Sequence, residues 1–184
     1  GTLQGPDGRV NLVSLNAPGT VEVNAGGELQ VQAAQLGQIG LSNNASVNVD
    51  GVLGGEVIIR GGRLIMDNAV ISSNTSGSPG AQIAAAGPKP GIDIRVTGDV
   101  LLDNLAKIET NVFGGSNPAG DITLNLGGNL EIRGGRFDEN DPFSSFSGIK
   151  TFAFDGSGNT GNIEVNANRI IINGEWIGIL NTSF

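Results

Sequence analysis

The chain has 184 residues, 38% of them hydrophobic, with 31 Gly and 7 Pro; that is too apolar for a disordered chain, and the heavy punctuation suits turn-rich β structure. Its formal net charge is −8, and its ten Lys and Arg are scattered, which excludes the clustered cations that phosphate binding needs. His, Tyr and Cys are absent, which removes the commonest general base, the usual zinc ligand, the phenol acid and every disulfide. No segment approaches the roughly 18 apolar residues of a membrane span.

In chain order, residues 1–18 contain the turn Gly5-Pro6-Asp7-Gly8, strand residues Val10, Leu12 and Leu15, and a second turn at Asn16-Ala17-Pro18-Gly19. A recurring pattern follows, with every second residue apolar, a Gly-rich break, and a second alternating run. Copies begin near Gly19, Gly55, Gly91, Gly120 and Gly161. Alternation of this kind predicts strands with one buried face. The first runs supply the pairs Val21/Val23, Val57/Ile59, Ile94/Val96, Ile122/Leu124 and Ile163/Val165. The second runs supply Leu29/Val31, Leu64/Met66, Val100/Leu102, Leu130/Ile132 and Ile170/Ile172. A third element places an apolar residue before Ser or Thr, at Ile71, Ile108, Ile149 and Ile179, with Ile39 to Ser42 its looser member.

A repeat of roughly 30 to 40 residues built from short strands and Gly-rich turns is a stacking signature. The expected fold is all-β: a right-handed parallel β-helix, a single-stranded β-solenoid with three short strands per coil, forming one domain over residues 1–184. Columns of like residues are expected, Val21/Val57/Ile94/Ile122/Ile163 and Leu29/Leu64/Val100/Leu130/Ile170, together with a hydroxyl ladder at Ser73/Thr110/Thr151. Gly-Gly pairs are expected to supply positive φ at the corners. Val47-Asn48-Val49 reads as a small extra strand, and residues 81–86 lean towards strand.

The stretch GTLQGPDGRVNLVSLNAPGTVEV resembles the closing portion of the secretion domain of filamentous-haemagglutinin-like exoproteins, the two-partner secretion adhesins of bacteria. Gly1, Leu3, Pro6, Gly8, Arg9, Val10, Leu12, Ser14, Pro18, Gly19 and Val21 carry the likeness. Gly5 and Asp7 depart from it within a turn. The linking turns Gly114 to Ile122 and Gly156 to Ile163 are similar to that family's "G-S-G-N-A-G-x-I" turns. The resemblance implies that residues 1–18 end a secretion-domain-like segment and that the chain continues into the repeat region. It also implies export through an outer-membrane transporter, and a secreted or cell-surface location.

The sharpest departure from the repeat is the insertion 138–147, DENDPFSSFS. It gathers Phe137, Phe143 and Phe146 with Asp138, Glu139 and Asp141, a candidate ligand-contact loop in which aromatics meet a sugar ring or protein surface and carboxylates meet hydroxyls. The bland alternative is a loop that folds its Phe residues over the flank and leaves its acids in water. The acids lack the spacing of a calcium loop. Asp93, Asp99 and Asp103 with Arg95 and Lys107 imitate a polysaccharide lyase site, but repeat position accounts for Arg95 and Asp103. Trp176, the only Trp, reads as a cover for an end or flank. No catalytic residue, cofactor or metal is assigned.

The function expected is that of a non-enzymatic rod segment of a large adhesin. Its partners would be the transporter, a host or neighbouring-cell glycan or protein, and adjacent coils or a second copy end to end; nucleic acid is excluded. The alternatives are a carbohydrate-active lyase or hydrolase on the same scaffold, and a surface- or ice-binding solenoid, for which one hydroxyl per coil is a poor fit.

Overall fold

The computed structural model describes residues 1–25, 27–77, 91–114, 117–141, 145–154 and 159–183. The expected strand at 81–86 lies outside these residues. The chain builds in levels. The first level carries β1 (Thr2–Gln4), β2 (Arg9–Val13), β3 (Gly19–Val23), β4 (Leu29–Ala33) and β5 (Gln38–Asn48). The second carries β6 (Glu56–Gly61) and β7 (Arg63–Ser72). The third carries β8 (Gly91–Val96), β9 (Val100–Asp103), β10 (Lys107–Glu109) and β11 (Val112–Phe113). The fourth carries β12 (Asp121–Leu126), β13 (Asn129–Arg133) and β14 (Ser147–Phe154), and the fifth β15 (Ile163–Asn166), β16 (Arg169–Asn173) and β17 (Ile177–Ser183).

Three sheets result among the described residues. β2, β6, β8, β12 and β15 form a five-stranded parallel sheet. A ten-stranded parallel sheet takes β5, β7, β9, β13 and β16 together with β1, β10, β11, β14 and β17. β3 and β4 make a separate antiparallel pair. The β-helix with three short strands per coil is therefore corrected. Runs expected on separate second and third faces belong to one sheet, because β5 and β7 continue through the junction between them. Asparagines make this possible: Asn43, Asn44 and Asn68 adopt positive φ of 57°, 58° and 49°, a conformation Asn tolerates better than most residues. The chain bends there while its ladder survives, apart from one register shift between Ser42 and Ala45.

The core lies between the two large sheets, and like stands over like within it. Val10, Val57, Ile92, Ile122 and Ile163 are in file, as are Ile39, Leu64, Val100, Leu130 and Ile170. A third file runs Val47, Ile71, Ile108, Ile149 and Ile179. Each fully buried aliphatic side chain here contributes roughly 1.5–3 kcal/mol.

Three sequence assignments are corrected by these registers. Val21 and Leu29 leave the columns because their stretch is the β3–β4 hairpin, where Val23 faces Leu29 and Val21 faces Val31. Val10 and Ile39 take their places. Ile94 moves one step along, over Ile59 and under Leu124, and Ile92 fills the column position expected for it. Val47 to Val49, not Ile39 to Ser42, belongs with the third element.

The hydroxyls at Ser73, Thr110 and Thr151 stack by backbone register but do not bond to one another. All three are fully buried, and each bonds backbone just before a strand of the five-stranded sheet. Ser73 Oγ donates to the Gly55 carbonyl (2.6 Å), Thr110 Oγ1 donates to that of Gly120 (2.7 Å), and Thr151 Oγ1 accepts from the Gly161 amide (3.2 Å). They hold the two sheets together at one corner. At the opposite corner Gly62, Gly98 and Gly127 do not adopt positive φ. They are glycines because a Cβ would meet carbonyl oxygen of the adjoining level: that of Gly62 for Gly98, and that of Thr97 for Gly127.

Candidate functional site

The insertion after β13 has a polar frame of its own. The Arg136 amide donates to the Ser145 carbonyl (3.4 Å), the Ser145 amide to the Asp141 carbonyl (3.2 Å), and the Asp138 amide to Ser145 Oγ (3.3 Å). Asp138 Oδ1 accepts from the Asn140 amide (3.0 Å), an Asx turn that fixes the tip. The loop divides its aromatics. Phe146 is 3% exposed and lies edge-on to Trp176, with ring centroids 6.4 Å apart. Phe137 is 57% exposed and also meets Trp176 edge-on, at 5.2 Å. Trp176 is 41% exposed at a positive-φ corner before β17. Glu139 and Asp141 are exposed and Asp138 half-buried. Arg136 to Asn140 rim a shallow depression beside Phe137. Phe143 lies outside the described residues.

The loop therefore contributes both cover and surface. Phe146 covers the Lys150 ammonium, whose Nζ is 5.8 Å from its ring centroid and 5.4 Å from that of Phe152, within cation–π range. Phe137 and Trp176 leave a solvent-facing aromatic pair.

Beside the loop lies a second feature, one that no sequence motif marks. Val70, Lys107, Glu109, Asn111, Phe113, Lys150 and Phe154 line a groove of about 380 Å³ on the outer face of the ten-stranded sheet. Residues 107, 109, 111 and 113 alternate with the inward Ile108, Thr110 and Val112, so the pleat places them on one side. Lys150 Nζ pairs with Glu109 Oε2 at 3.2 Å. Asn111 Oδ1 accepts from the Phe152 amide (3.1 Å). Phe113 and Phe154, opposite one another on β11 and β14, stack at 5.1 Å with an interplanar angle of 5°.

Burial pulls the Lys107 pKa below its ordinary 10.5; Glu109 and Asp141 oppose that shift and Lys150 reinforces it. A lysine depressed in the folded state weighs against folding while it is charged in both states. That penalty is lifted as pH rises from the folded pKa through 10.5. Wild type is therefore expected to gain stability relative to Lys107→Met across that alkaline window. Denaturant titrations of both proteins at stepped pH check this, and parallel curves contradict it.

The acids suggestive of a lyase do not converge. Asp93, in the five-stranded sheet, pairs with Arg60 (2.6 Å) and Arg95 (3.2 Å). Asp103, in the ten-stranded sheet, pairs with Arg133 (2.9 Å), and Asp99 accepts from the Asn129 amide (2.8 Å). Among the described residues no three of His, Cys, Asp and Glu are grouped to hold a metal. Comparison with family models, with curated proteins and with solved structures gave no match.

Proposed function

We propose that the chain is a non-enzymatic structural and binding segment of a large secreted or cell-surface bacterial adhesin, exported by two-partner secretion through an outer-membrane transporter. The observation that carries the structural half is the level-on-level register: each level offers the next the same inward residues and a parallel edge, so that length is added without a new core. The export half rests on the resemblance of residues 1–23 to the end of a secretion domain. Phe137 and Trp176, large aromatics left in water at a loop framed by Asp138 and Glu139, are the contact surface for a glycan or protein on another cell.

The test uses antibody fragments raised against the chain. They are expected to label intact cells of the bacterium that produces it, and to lose that label when the neighbouring transporter gene is deleted. Labelling only after permeabilisation, or labelling indifferent to the deletion, would overturn the reading.

A further inference from the structure

We propose that the groove between β10, β11 and β14 is a binding site for a neutral pyranose ring. The inference goes beyond the adhesin reading and does not rest on it, because the groove's chemistry is indifferent to where the chain resides.

Three observations carry it. The first is charge balance. Lys107, Lys150 and Glu109 line the groove, with Lys150 Nζ 3.2 Å from the Glu109 carboxylate. Glu109 and Lys150 cancel one another, and the groove holds no cluster of like charges for a sulfate or a metal ion. The lining does offer donors and acceptors, and a sugar hydroxyl, which both donates and accepts, is the group such an array fits. The second is Phe113. It is 53% exposed although it stacks on Phe154, and one wall of the groove is its ring. An apolar ring beside charged hydrogen-bonding groups matches a pyranose, whose C–H face is apolar and whose rim is polar. The third is size. About 380 Å³ is a small-molecule volume, and a protein partner would need roughly 800 Å² from each side.

The scaffold also pre-organises the site. Lys150 is held by Glu109 and by two aromatic rings, and Asn111 by the Phe152 amide, so little side-chain ordering is left for the ligand to impose.

Saturation-transfer difference NMR on the full chain tests it, with methyl glucoside, methyl galactoside, methyl mannoside and sodium glucuronate as probes. At least one neutral glycoside is expected to receive saturation, strongest on the protons of one ring face. Phe113→Ala is expected to reduce that transfer at least fivefold in protein that circular dichroism shows to be folded, Phe113→Tyr to retain it, and Val52→Ala, an exposed apolar position outside the groove, to leave it unaltered. No transfer to any neutral glycoside, stronger transfer to glucuronate, or equal transfer in wild type and Phe113→Ala would overturn the proposal. Loss with Phe137→Ala alone would overturn it too, by moving the contact to the loop.

Discussion

Glu109→Gln is expected to lower the unfolding free energy by about 3 kcal/mol, whereas the double replacement Glu109→Leu with Lys150→Met is expected to lie within about 1 kcal/mol of wild type or above it. The pair spans the β10–β14 ladder, where Glu109 stands opposite Lys150. Side-chain exposures of 15% and 6% place it largely out of water. The Lys150 ammonium faces the carboxylate at 3.2 Å and the rings of Phe146 and Phe152. Glutamine keeps the shape and removes the charge, so the buried ammonium loses the carboxylate that faces it at 3.2 Å. Glu109 Oε1 also accepts a long bond from Asn74 Nδ2 (3.4 Å), which the amide can retain by rotation. In the double variant neither ion needs desolvating, and the Met sulfur meets the two rings favourably. Denaturant unfolding of wild type, Glu109→Gln and the double variant decides the matter. A single substitution as mild as the double one would mean that water reaches the pair.

The inward half of this fold is legible because burial imposes a period of two on sequence. Alternation places Leu64/Met66, Leu130/Ile132 and Ile122/Leu124 on sheet faces, and all six are fully buried. Period two does not set register. GIDIRV holds three alternate apolar residues, Ile92, Ile94 and Val96, so two alignments satisfy the pattern equally, and pairing with β6 and β12 selects the one with Ile92 over Val57. Nor does alternation distinguish a parallel level from an antiparallel hairpin. GTVEVNAGGELQV reads like the true repeats, but its Asn24 side chain and carbonyl accept the Glu28 and Gly27 amides and turn the chain back on itself. That local turn chemistry is the available signal. The continuous β5 and β7 are hidden for a related reason: Asn43, Asn44 and Asn68 look like turn residues, yet here they bend a strand without ending it.

The candidate site is legible only as an interruption. A break in the repeat locates the loop, but whether Phe137 or Phe146 goes inside depends on Trp176 and Lys150, which reach the loop from elsewhere in the fold. The groove is less visible still. Its Phe113–Phe154 stack and its Asn111–Phe152 bond each join residues 41 positions apart, and only ladder register brings them together. The trace left in the sequence is the outward series Lys107, Glu109, Asn111, Phe113, in which alternation carries chemistry as well as polarity.

Gly148→Ala is expected to destabilise the chain by about 3–5 kcal/mol, the sum of left-handed backbone strain and a forced displacement of neighbouring backbone. Gly148 has φ +140° and sits in β14 between Lys107 of β10 and Gly178 of β17. A Cβ there would run into the Gly178 carbonyl oxygen, with the Gly178 C and N atoms each 3.1 Å away. Backbone held in a ladder cannot swing aside as a side-chain end can, and the Gly148 amide is tied to the Ala106 carbonyl at 2.8 Å. Two further glycines separate the contributions. Gly178 has φ +154° but open space around its Cβ position, so Gly178→Ala meets strain alone, about 1–3 kcal/mol. Gly40, in β5, has no positive φ, and a methyl group added there would meet no atom within 4 Å. Gly40→Ala is therefore expected to be neutral or to stabilise by up to about 1 kcal/mol through the unfolded chain. Thermal and denaturant unfolding should rank the losses Gly148, then Gly178, then Gly40. Because Gly148 lies directly opposite Lys107 beside the groove, the same substitution should also weaken saccharide binding under conditions where the variant is still folded. Equal losses at Gly148 and Gly178 would mean that the approach of β14 to β17 is looser than its register implies.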